Sequence, residues 1–323
     1  MLLCVGGLFG SCGAPSSDAD PPVSAPLPPA PGLPELSRDR APSLDSDRVI
    51  MLLPPAPDGS SWSLGGRDPN TEDAQFFDLG GDSATRGQDG GITFWRHPGH
   101  ALRYASGGLE GRTARFNIRA GGGSQTYTWN SGARESGFLA SPRDLTNFEA
   151  TAYLRVWGYT GVHVFIGWVL RGGRHSVAEG AEASCTGMML PFGSEPPIAY
   201  RELNHPYYDQ IALTPRFPFQ LNEGRWLAMK VVSYRIEGGT KNLLYLDDDP
   251  FDVRGEPRNA FRLYAQWNDR DGVSSGQYRQ AATWGGWVTT LRVDGWNEVE
   301  LAILSVREII PPVVSNAVVP WSR

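Results

Sequence analysis

The sequence predicts an all-β domain built as an antiparallel sandwich of curved sheets, and three observations lead to this fold class. Several segments alternate apolar and polar residues with a period of two, which is the pattern of a half-buried strand. Glycine pairs and triplets separate these segments in the first half of the domain, as turns separate short strands. The chain has no long segment with the 3.6-residue periodicity of an amphipathic helix.

The first predicted strands lie between the glycine-rich turns, at residues 92–95, 115–119 and 125–129. Residues 150–157 give the clearest alternation, because small and aliphatic side chains alternate there with larger or polar ones. The residues expected on the open face of this strand are Thr151, Tyr153, Arg155 and Trp157.

Further predicted strands follow along the rest of the domain. They cover residues 162–171, 200–203, 227–236, 243–247, 261–267, 288–293 and 299–307. Glu237 and the two glycines after it form a hairpin signal between two of them. There are no tandem internal repeats.

The first residues of the chain resemble an export signal. Residues 1–10 are apolar and too few to span a bilayer, which fits the hydrophobic region of a signal peptide. The residues before Cys12 resemble a bacterial lipobox, with Phe9 where leucine is usual. We therefore expect a lipid anchor on Cys12, with ordinary secretion or no export as the alternatives.

A proline-rich segment follows, in which residues 14–59 hold 12 of the 26 prolines. Such a segment cannot bury enough apolar surface to offset its ordering entropy, so it predicts a disordered tether. Removing residues 1–60 should then leave the stability nearly unchanged, unless the apolar patch at residues 50–53 docks on the domain. The predicted domains are a signal peptide at 1–13, a linker at 14–65, the β domain at 66–310 and a tail at 311–323.

Charge and cysteine content exclude several function classes. The formal net charge of −6 provides no basic footprint, so nucleic acid is not an expected partner. An acidic polymer would have to be held by a local cluster of Arg or Lys. The three cysteines, Cys4, Cys12 and Cys185, offer neither a disulfide framework nor zinc-ligand spacing. Cys185 is predicted to be a small buried apolar residue.

Several faces that the strand pattern leaves open carry Trp, Tyr, Arg and His together, which is unusual for plain solvent-facing surface. Sugar rings present apolar C–H faces to aromatic rings and hydroxyl groups to polar side chains. We therefore expect one outer face to form a concave groove for a sugar chain.

Three stretches of the predicted domain share a pattern with a known family. They are residues 148–156, residues 224–230 with 244–248, and residues 292–295 with 299–307. Together they resemble the concanavalin A-like lectin and glucanase jelly roll, including its Gly-x-Trp strand at Gly224 and Trp226. The resemblance implies a jelly-roll fold over roughly residues 66–310. It also implies a lectin, a glycoside hydrolase or a polysaccharide lyase.

A shorter stretch is similar to one branch of this superfamily. Arg201, Glu202 and Leu203 resemble the Arg-x-Glu-Leu strand of jelly-roll alginate and glucuronan lyases, without its intervening residue. The Gln-Ile-His and Tyr-x-Lys motifs of those lyases are not present in this chain. The resemblance implies β-elimination on an acidic polysaccharide as the activity.

β-Elimination on a uronic acid polymer needs a group that neutralises the carboxylate, a base for the C5 proton and an acid for the leaving oxygen. Arg201 and His205 share strand parity, so both are expected on one face. We assign His205 as the base or its partner, Tyr208 as the acid, and Arg201 with His175 as the carboxylate-binding pair. The residues expected to contact the substrate are Arg171, Arg174, Glu202, Asn204, Tyr207, Tyr153, Trp157 and Trp284.

Each assignment has a plainer alternative. Residues 171–175 fit an ordinary loop with solvated charges, His205 and Pro206 fit a turn, and Trp284 fits the core. Glu202 also fits the general acid of a glycosidase, which requires a second carboxylate roughly 5–10 Å away. The candidates for that second carboxylate are Glu149, Glu179 and Glu195.

The predicted chemistry requires no cofactor. By the resemblance, Asp294 is a candidate ligand for a structural calcium ion, while the carboxylates of residues 247–252 fit either a calcium site or a polar hairpin tip. We expect an extracytoplasmic monomer, secreted or lipid-anchored at the cell envelope, whose partner is a polysaccharide. A lyase is the leading hypothesis, a non-catalytic carbohydrate-binding module is the alternative, and a structural surface protein is a third possibility.

Overall fold

The computed structural model describes residues 43–72, 77–79, 83–102, 111–119, 145–161, 164–172, 185–204, 207–270, 281–283, 285–286 and 288–312. These residues form strands, turns and irregular segments without a helix, so the all-β prediction is confirmed. A search of the same residues finds no helix with the length and hydropathy needed to cross a membrane.

The first sheet contains eight antiparallel strands among the described residues. They are β1 (Ser61–Ser63), β3 (Thr85–Asp89), β4 (Ile92–Pro98), β7 (Phe148–Tyr159), β12 (Leu227–Ile236), β13 (Gly239–Asp247), β14 (Arg262–Arg270) and β16 (Trp296–Glu308). Their order is β14-β13-β12-β7-β16-β4-β3, and β1 pairs with β16 next to β4.

The second sheet also contains eight antiparallel strands in the described part of the chain. They are β2 (Phe77–Leu79), β5 (His100–Leu102), β6 (Gly111–Arg119), β8 (Phe165–Gly172), β9 (Cys185–Pro191), β10 (Ile198–Asn204), β11 (Tyr207–Ala212) and β15 (Val288–Asp294). Their order is β11-β10-β9-β8-β15-β6-β2, and β5 pairs with β6.

The chain crosses repeatedly from one sheet to the other. It passes from β6 in the second sheet to β7 in the first and back to β8, and it alternates again through β14, β15 and β16. This alternation gives the two-layer sandwich a jelly-roll arrangement, as the sequence predicted. Among the described strands the two longest are β7 and β16, and they are neighbours in the middle of the first sheet.

A continuous apolar core lies between the two sheets. Trp168, Trp296 and Phe116 are among its largest fully buried side chains. On β7 the inward residues alternate along the strand, and they are Ala150, Ala152, Leu154 and Val156. The predicted period of two for this strand is therefore confirmed, because every second side chain fills the space between the sheets.

Residues 43–60 form what we call the N-terminal strap, which packs against the first sheet. Val49 is fully buried together with Tyr153 and Ala228. The backbone amide of Leu52 donates to Glu149, at 3.1 Å. The predicted linker covered residues 14–65, so the packed body begins N-terminal to the predicted boundary at residue 66. The strap can pack because residues 49–53 supply an apolar patch within a proline-rich sequence.

A buried ionic network fixes the strap to the sheet. The Glu149 carboxylate accepts hydrogen bonds from Lys230 and Arg307. The Lys230 ammonium also donates to the carbonyl of Ile50, at 2.7 Å, and Arg307 pairs with Asp45 at 3.2 Å. Burial lowers the pKa of Lys230, an effect that Glu149 opposes. Two cations and two carboxylates thus balance each other beneath the strap, as buried charges require.

Most predicted strands are confirmed, with ends that differ by a few residues. The strand predicted at residues 227–236 has the bounds of β12. The sequence did not predict β1, β2, β3, β5, β9 and β11. These strands are short or lack clear alternation, as in the Thr-Arg-Gly-Gln-Asp sequence of β3. The strand predicted at residues 125–129 lies outside the described residues.

Candidate functional site

Arg201, the predicted carboxylate-binding residue, points into the sandwich. It lies on β10 of the second sheet and forms an ion pair with Asp269 on β14 of the first sheet. Its side chain is 1% exposed. Burial raises the pKa of Asp269, and Arg201 moderates this effect. A guanidinium committed between two sheets does not reach a polysaccharide on the surface, so the assigned role does not fit this position.

Arg171, a predicted substrate-binding residue, is also buried between the sheets. Its backbone has a φ of 55°, in the left-handed region, at an irregularity where β8 meets β15. The guanidinium donates to the carbonyl of Thr146 at 2.6 Å and to the Ser233 hydroxyl at 3.0 Å. Burial lowers the pKa of Arg171 to about 9. The bulge turns the side chain inward, which parity along a regular strand does not predict.

Glu202 lies on the opposite face of β10 from Arg201, and its side chain is buried. The Cys185 thiol lies 3.6 Å from its carboxylate. Burial raises the pKa of Cys185 and of the neighbouring Tyr200 well above their usual values. Cys185 is a free, buried thiol as predicted, and it is held in its neutral form.

The other members of the predicted elimination site are described only in part. The backbones of Asn204 and Tyr207 are register partners in the β10–β11 pair, after a register shift that begins at Arg201. Tyr208 lies on β11. The residues outside the described part of the chain are His175, Arg174, His205 and Trp284. The described residues therefore do not bring a base, an acid and a free cation together on one face.

Asp294, the predicted calcium ligand, is buried and already paired. It accepts a hydrogen bond from the Thr113 hydroxyl at 2.6 Å and forms an ion pair with Arg292, also at 2.6 Å. No group of three or more His, Cys, Asp or Glu residues in the described chain could hold a metal ion. A single carboxylate facing a guanidinium does not fit the several oxygen ligands that calcium needs.

Tyr153 and Trp157 were predicted on the open face of β7, and the structure separates them. Tyr153 is fully buried beneath the strap, with the rings of Phe251 and Phe261 against it. This burial does not fit the predicted contact of Tyr153 with substrate, because the strap covers this half of the outer face of the first sheet. Trp157 lies on the uncovered half and is half-buried.

The uncovered half carries a charged row flanked by aromatic rings. Arg96 on β4, Glu300 on β16 and Arg155 on β7 are register neighbours. The Arg155 guanidinium lies 4.7 Å from the ring centroid of Trp226 and 5.3 Å from that of Trp157. Burial alone would raise the pKa of Glu300, but hydrogen bonds from the surrounding side chains lower it. The row therefore holds Trp226 in a fixed place through cation–π contact.

Beside Trp226 the chain forms a pocket of about 230 Å³, which we call the Trp226 pocket. Its lining residues are Pro218, Phe219, Gln220, Leu221, Asn222, Arg225, Trp226, Leu227 and Asp248. The side-chain amide of Asn222 donates to the backbone carbonyl of Gln220 at 3.2 Å, and this hydrogen bond orients the Asn222 side chain. Asp248 pairs with Arg262 at 3.1 Å, and both side chains are half exposed. Such an exposed pair is weak, so the carboxylate can exchange this partner for a ligand.

Two contacts hold the loop that lines the pocket. Gly224 has a φ of 74°, and a Cβ at this position would lie 2.9 Å from the Trp157 ring. The Trp157 ring therefore packs directly on the Gly224 backbone, which only glycine allows. One residue earlier, Glu223 accepts a hydrogen bond from the amide of Gly158 at 2.8 Å.

The sequence pointed to some residues in or beside this pocket but did not identify them as a ligand site. Gly224 and Trp226 belong to the Gly-x-Trp stretch, which was interpreted as a mark of fold. Asp248 was placed in a calcium loop or a hairpin tip. Gln220, Asn222 and Arg225 were not predicted, because they lie in an irregular segment without period or motif. Strand patterns do not show which loop will close over a tryptophan.

The comparisons with known proteins concern structure alone. No family model matches the chain, and neither does any curated protein. The chain is similar to winged bean acidic lectin complexed with methyl-α-D-galactose, with a TM-score of 0.38 and 10% identity over 79% of this chain and 100% of that one.

Two further solved structures are similar at the same level. Lectin II from Ulex europaeus has a TM-score of 0.38 and 8% identity, over 76% of this chain and 97% of the lectin. The CBM2 module of the Lactobacillus casei BL23 phage J-1 evolved Dit has a TM-score of 0.31 and 11% identity, over 79% and 98%. At such values the likeness carries no inference about a ligand. The similarity to polysaccharide lyases stays a prediction.

Proposed function

We propose that this protein binds a carbohydrate in the Trp226 pocket without cleaving it. The observation that carries the proposal is the combination of side chains around one small cavity. The cavity has a volume of about 230 Å³, and its lining includes an indole ring, two amides, a guanidinium and a carboxylate. This set provides one apolar surface and several hydrogen-bonding groups of both polarities, which is how specific small-ligand sites are built.

The chemistry of a sugar ring matches these groups. The C–H face of the ring packs on the Trp226 indole, while its hydroxyls can pair with Asn222, Gln220 and Asp248. Pockets for drug-sized ligands enclose roughly 300–1,000 Å³. The smaller Trp226 pocket suits a single sugar unit, in place of the long concave groove expected from the sequence.

Binding is favoured over elimination by the residue types at the pocket. Among the residues that the structure describes, the pocket lining includes no histidine and no tyrosine, and these are the usual acid and base of a lyase. Arg201 is committed to Asp269 in the interior. The predicted export and the lipid anchor on Cys12 belong to the same proposal, in which a monomeric domain binds polysaccharide outside the cytoplasm.

The test is a panel of soluble β-1,3-glucan, galactomannan, xylan and alginate, with binding measured by affinity electrophoresis. We expect at least one of them to bind the full chain, and Asn222→Ala to weaken that binding about five- to tenfold, since a hydrogen bond contributes about 1 kcal/mol. Asn268→Ala is the matched control, because Asn268 is an exposed amide on β14 outside the pocket lining.

Two outcomes contradict the proposal. In the first, none of the four polysaccharides binds, or Asn222→Ala binds as tightly as the unaltered protein. In the second, incubation with alginate produces the ultraviolet absorbance of an unsaturated uronate, which would return the assignment to a lyase.

A further inference from the structure

Tyr159 exposes an aromatic ring at the end of β7. Its exposed fraction is 48%. Four large hydrophobic residues of the described chain are exposed, and Tyr159 is the aromatic residue among them. The other three are Leu44, Val253 and Ile310. Single exposed aliphatic residues are common on protein surfaces and need no explanation. An exposed tyrosine held in a fixed position is different, because a flat, amphipathic ring is suited to ligand contact.

The Tyr159 ring is fixed by two other rings. It stacks on Phe192, with centroids 4.5 Å apart and an angle of 24° between the planes. Both rings also make T-shaped contacts with Trp296, with ring centroids 6.1 Å and 5.4 Å apart. Trp296 is buried in the core of the sandwich. The pair of Tyr159 and Phe192, which we call the aromatic platform, therefore loses little side-chain entropy when a ligand packs on it.

The aromatic platform adjoins the Trp226 pocket through two hydrogen-bonded links. Gly158, next to Tyr159, donates its amide to Glu223, the neighbour of pocket residue Asn222. Gly193, next to Phe192, accepts a hydrogen bond at 3.2 Å from the amide of Leu221, which lines the pocket. The sequence neighbour of each platform residue is thus hydrogen-bonded to the loop that lines the pocket.

We propose that the aromatic platform is a second sugar subsite, so that the ligand is an oligosaccharide chain held at two adjoining points. One sugar unit occupies the Trp226 pocket, and a neighbouring unit of the same chain packs on the Tyr159 ring. This inference rests on the proposed function of the pocket. It adds that the protein distinguishes chains from single sugars, because a monosaccharide in the pocket does not reach the platform.

The experiment compares a monosaccharide with its hexasaccharide on the full chain by isothermal titration calorimetry. The monosaccharide probes are glucose, mannose, xylose and mannuronate. Each is compared with a hexasaccharide built from the same sugar. We expect the hexasaccharide to bind more tightly. Tyr159→Ala should weaken hexasaccharide binding about five- to tenfold, and it should leave monosaccharide binding unchanged. Tyr159→Phe should retain the hexasaccharide affinity, because the ring stays in place.

Two matched variants make the outcomes distinct. Asn222→Ala should weaken both ligands, while Val253→Ala, at a side chain that is 92% exposed, should weaken neither. If Asn222→Ala weakens the hexasaccharide and Tyr159→Ala does not, the platform is not a subsite and the pocket proposal stands. If no probe binds the unaltered protein, the pocket proposal fails and the platform inference fails with it.

Discussion

Glu300 shows how one side chain stabilises the uncovered face of the first sheet. It is fully buried and forms ion pairs with Arg96 and Arg155. Burial tends to raise its pKa, but hydrogen bonds from Arg96, Trp157 and Arg155 outweigh that effect, so its folded pKa lies below the usual 4.5. The stabilisation from Glu300 is therefore present above pH 4.5 and is lost as the pH falls through the lowered folded pKa.

We expect Glu300→Gln to lower the free energy of unfolding at pH 7 by about 1.5–3 kcal/mol, as for hydrogen bonds to charged groups. The difference from the unaltered protein should shrink as the pH falls from 5 to 3. Urea unfolding at pH 7, 5 and 3 measures both quantities.

Glu298→Gln is the control on the same strand. Glu298 also pairs with Arg96, at 3.0 Å, but its side chain is partly exposed, so we expect a loss of at most about 1 kcal/mol. A difference between Glu300→Gln and the unaltered protein that stays constant with pH would contradict this account.

At the scale of elements, the N-terminal strap decides which part of the first sheet is accessible. It buries Tyr153 and covers the ionic network of Glu149, Lys230 and Arg307. The same sheet is left uncovered around Trp157 and Trp226. A segment that the composition marks as a tether therefore sets the position of the candidate site by covering the alternative surface.

We expect removal of residues 1–60 to lower the melting temperature by about ten degrees. The deletion removes Asp45 from Arg307 and the Ile50 carbonyl from Lys230 and exposes these buried cations. Removing one partner of a buried charged group costs about 3–5 kcal/mol, and each kcal/mol corresponds to about 2–4 °C in a domain of this size. Removal of residues 1–42 is the matched control, and the proline-rich composition predicts nearly no change for it. If both truncated chains melt within two or three degrees of the full chain, as scanning calorimetry would show, the strap does not stabilise the sheet.

The sequence predicted the strands well where a period was visible. Residues 227–236 and the alternation along β7 followed directly from side-chain pattern, because each inward position must be apolar. The candidate site was predicted less well. Parity places Arg201 on a face but does not say which face is the interior, and here that face meets Asp269. Likewise, Tyr153 and Trp157 have the same parity on β7. Tyr153 is buried and Trp157 is not, because the strap covers only Tyr153.

At the scale of the whole molecule, β16 connects parts of the first sheet that are far apart in sequence. It pairs with β7 along nearly its whole length, with β4 through Glu298 to Leu301, and with β1 through Ser305 to Arg307. Because the strand is central, its loss would leave two broken halves of a sheet with unpaired edges.

We expect a chain that ends before residue 296 to lack the cooperative unfolding transition of the full protein. A chain that ends after residue 312 keeps every described strand, and we expect it to unfold like the full protein. Near-ultraviolet circular dichroism during thermal unfolding measures the transition. A sharp transition in the shorter chain would show that β7 and β4 can fold without β16.

The pairing of β1 with β16 also sets an order of events during synthesis. On the ribosome, Ser61 emerges early, whereas its partner Arg307 emerges after all the other described strands. Until then, β7 lacks its long neighbour β16, and the carboxylates of Asp45 and Glu149 lack Arg307, so the unpaired edge of β7 remains open to other chains. The fold thus closes only when translation of the domain is nearly complete, and a prematurely terminated chain would present a surface that chaperones and proteases can recognise.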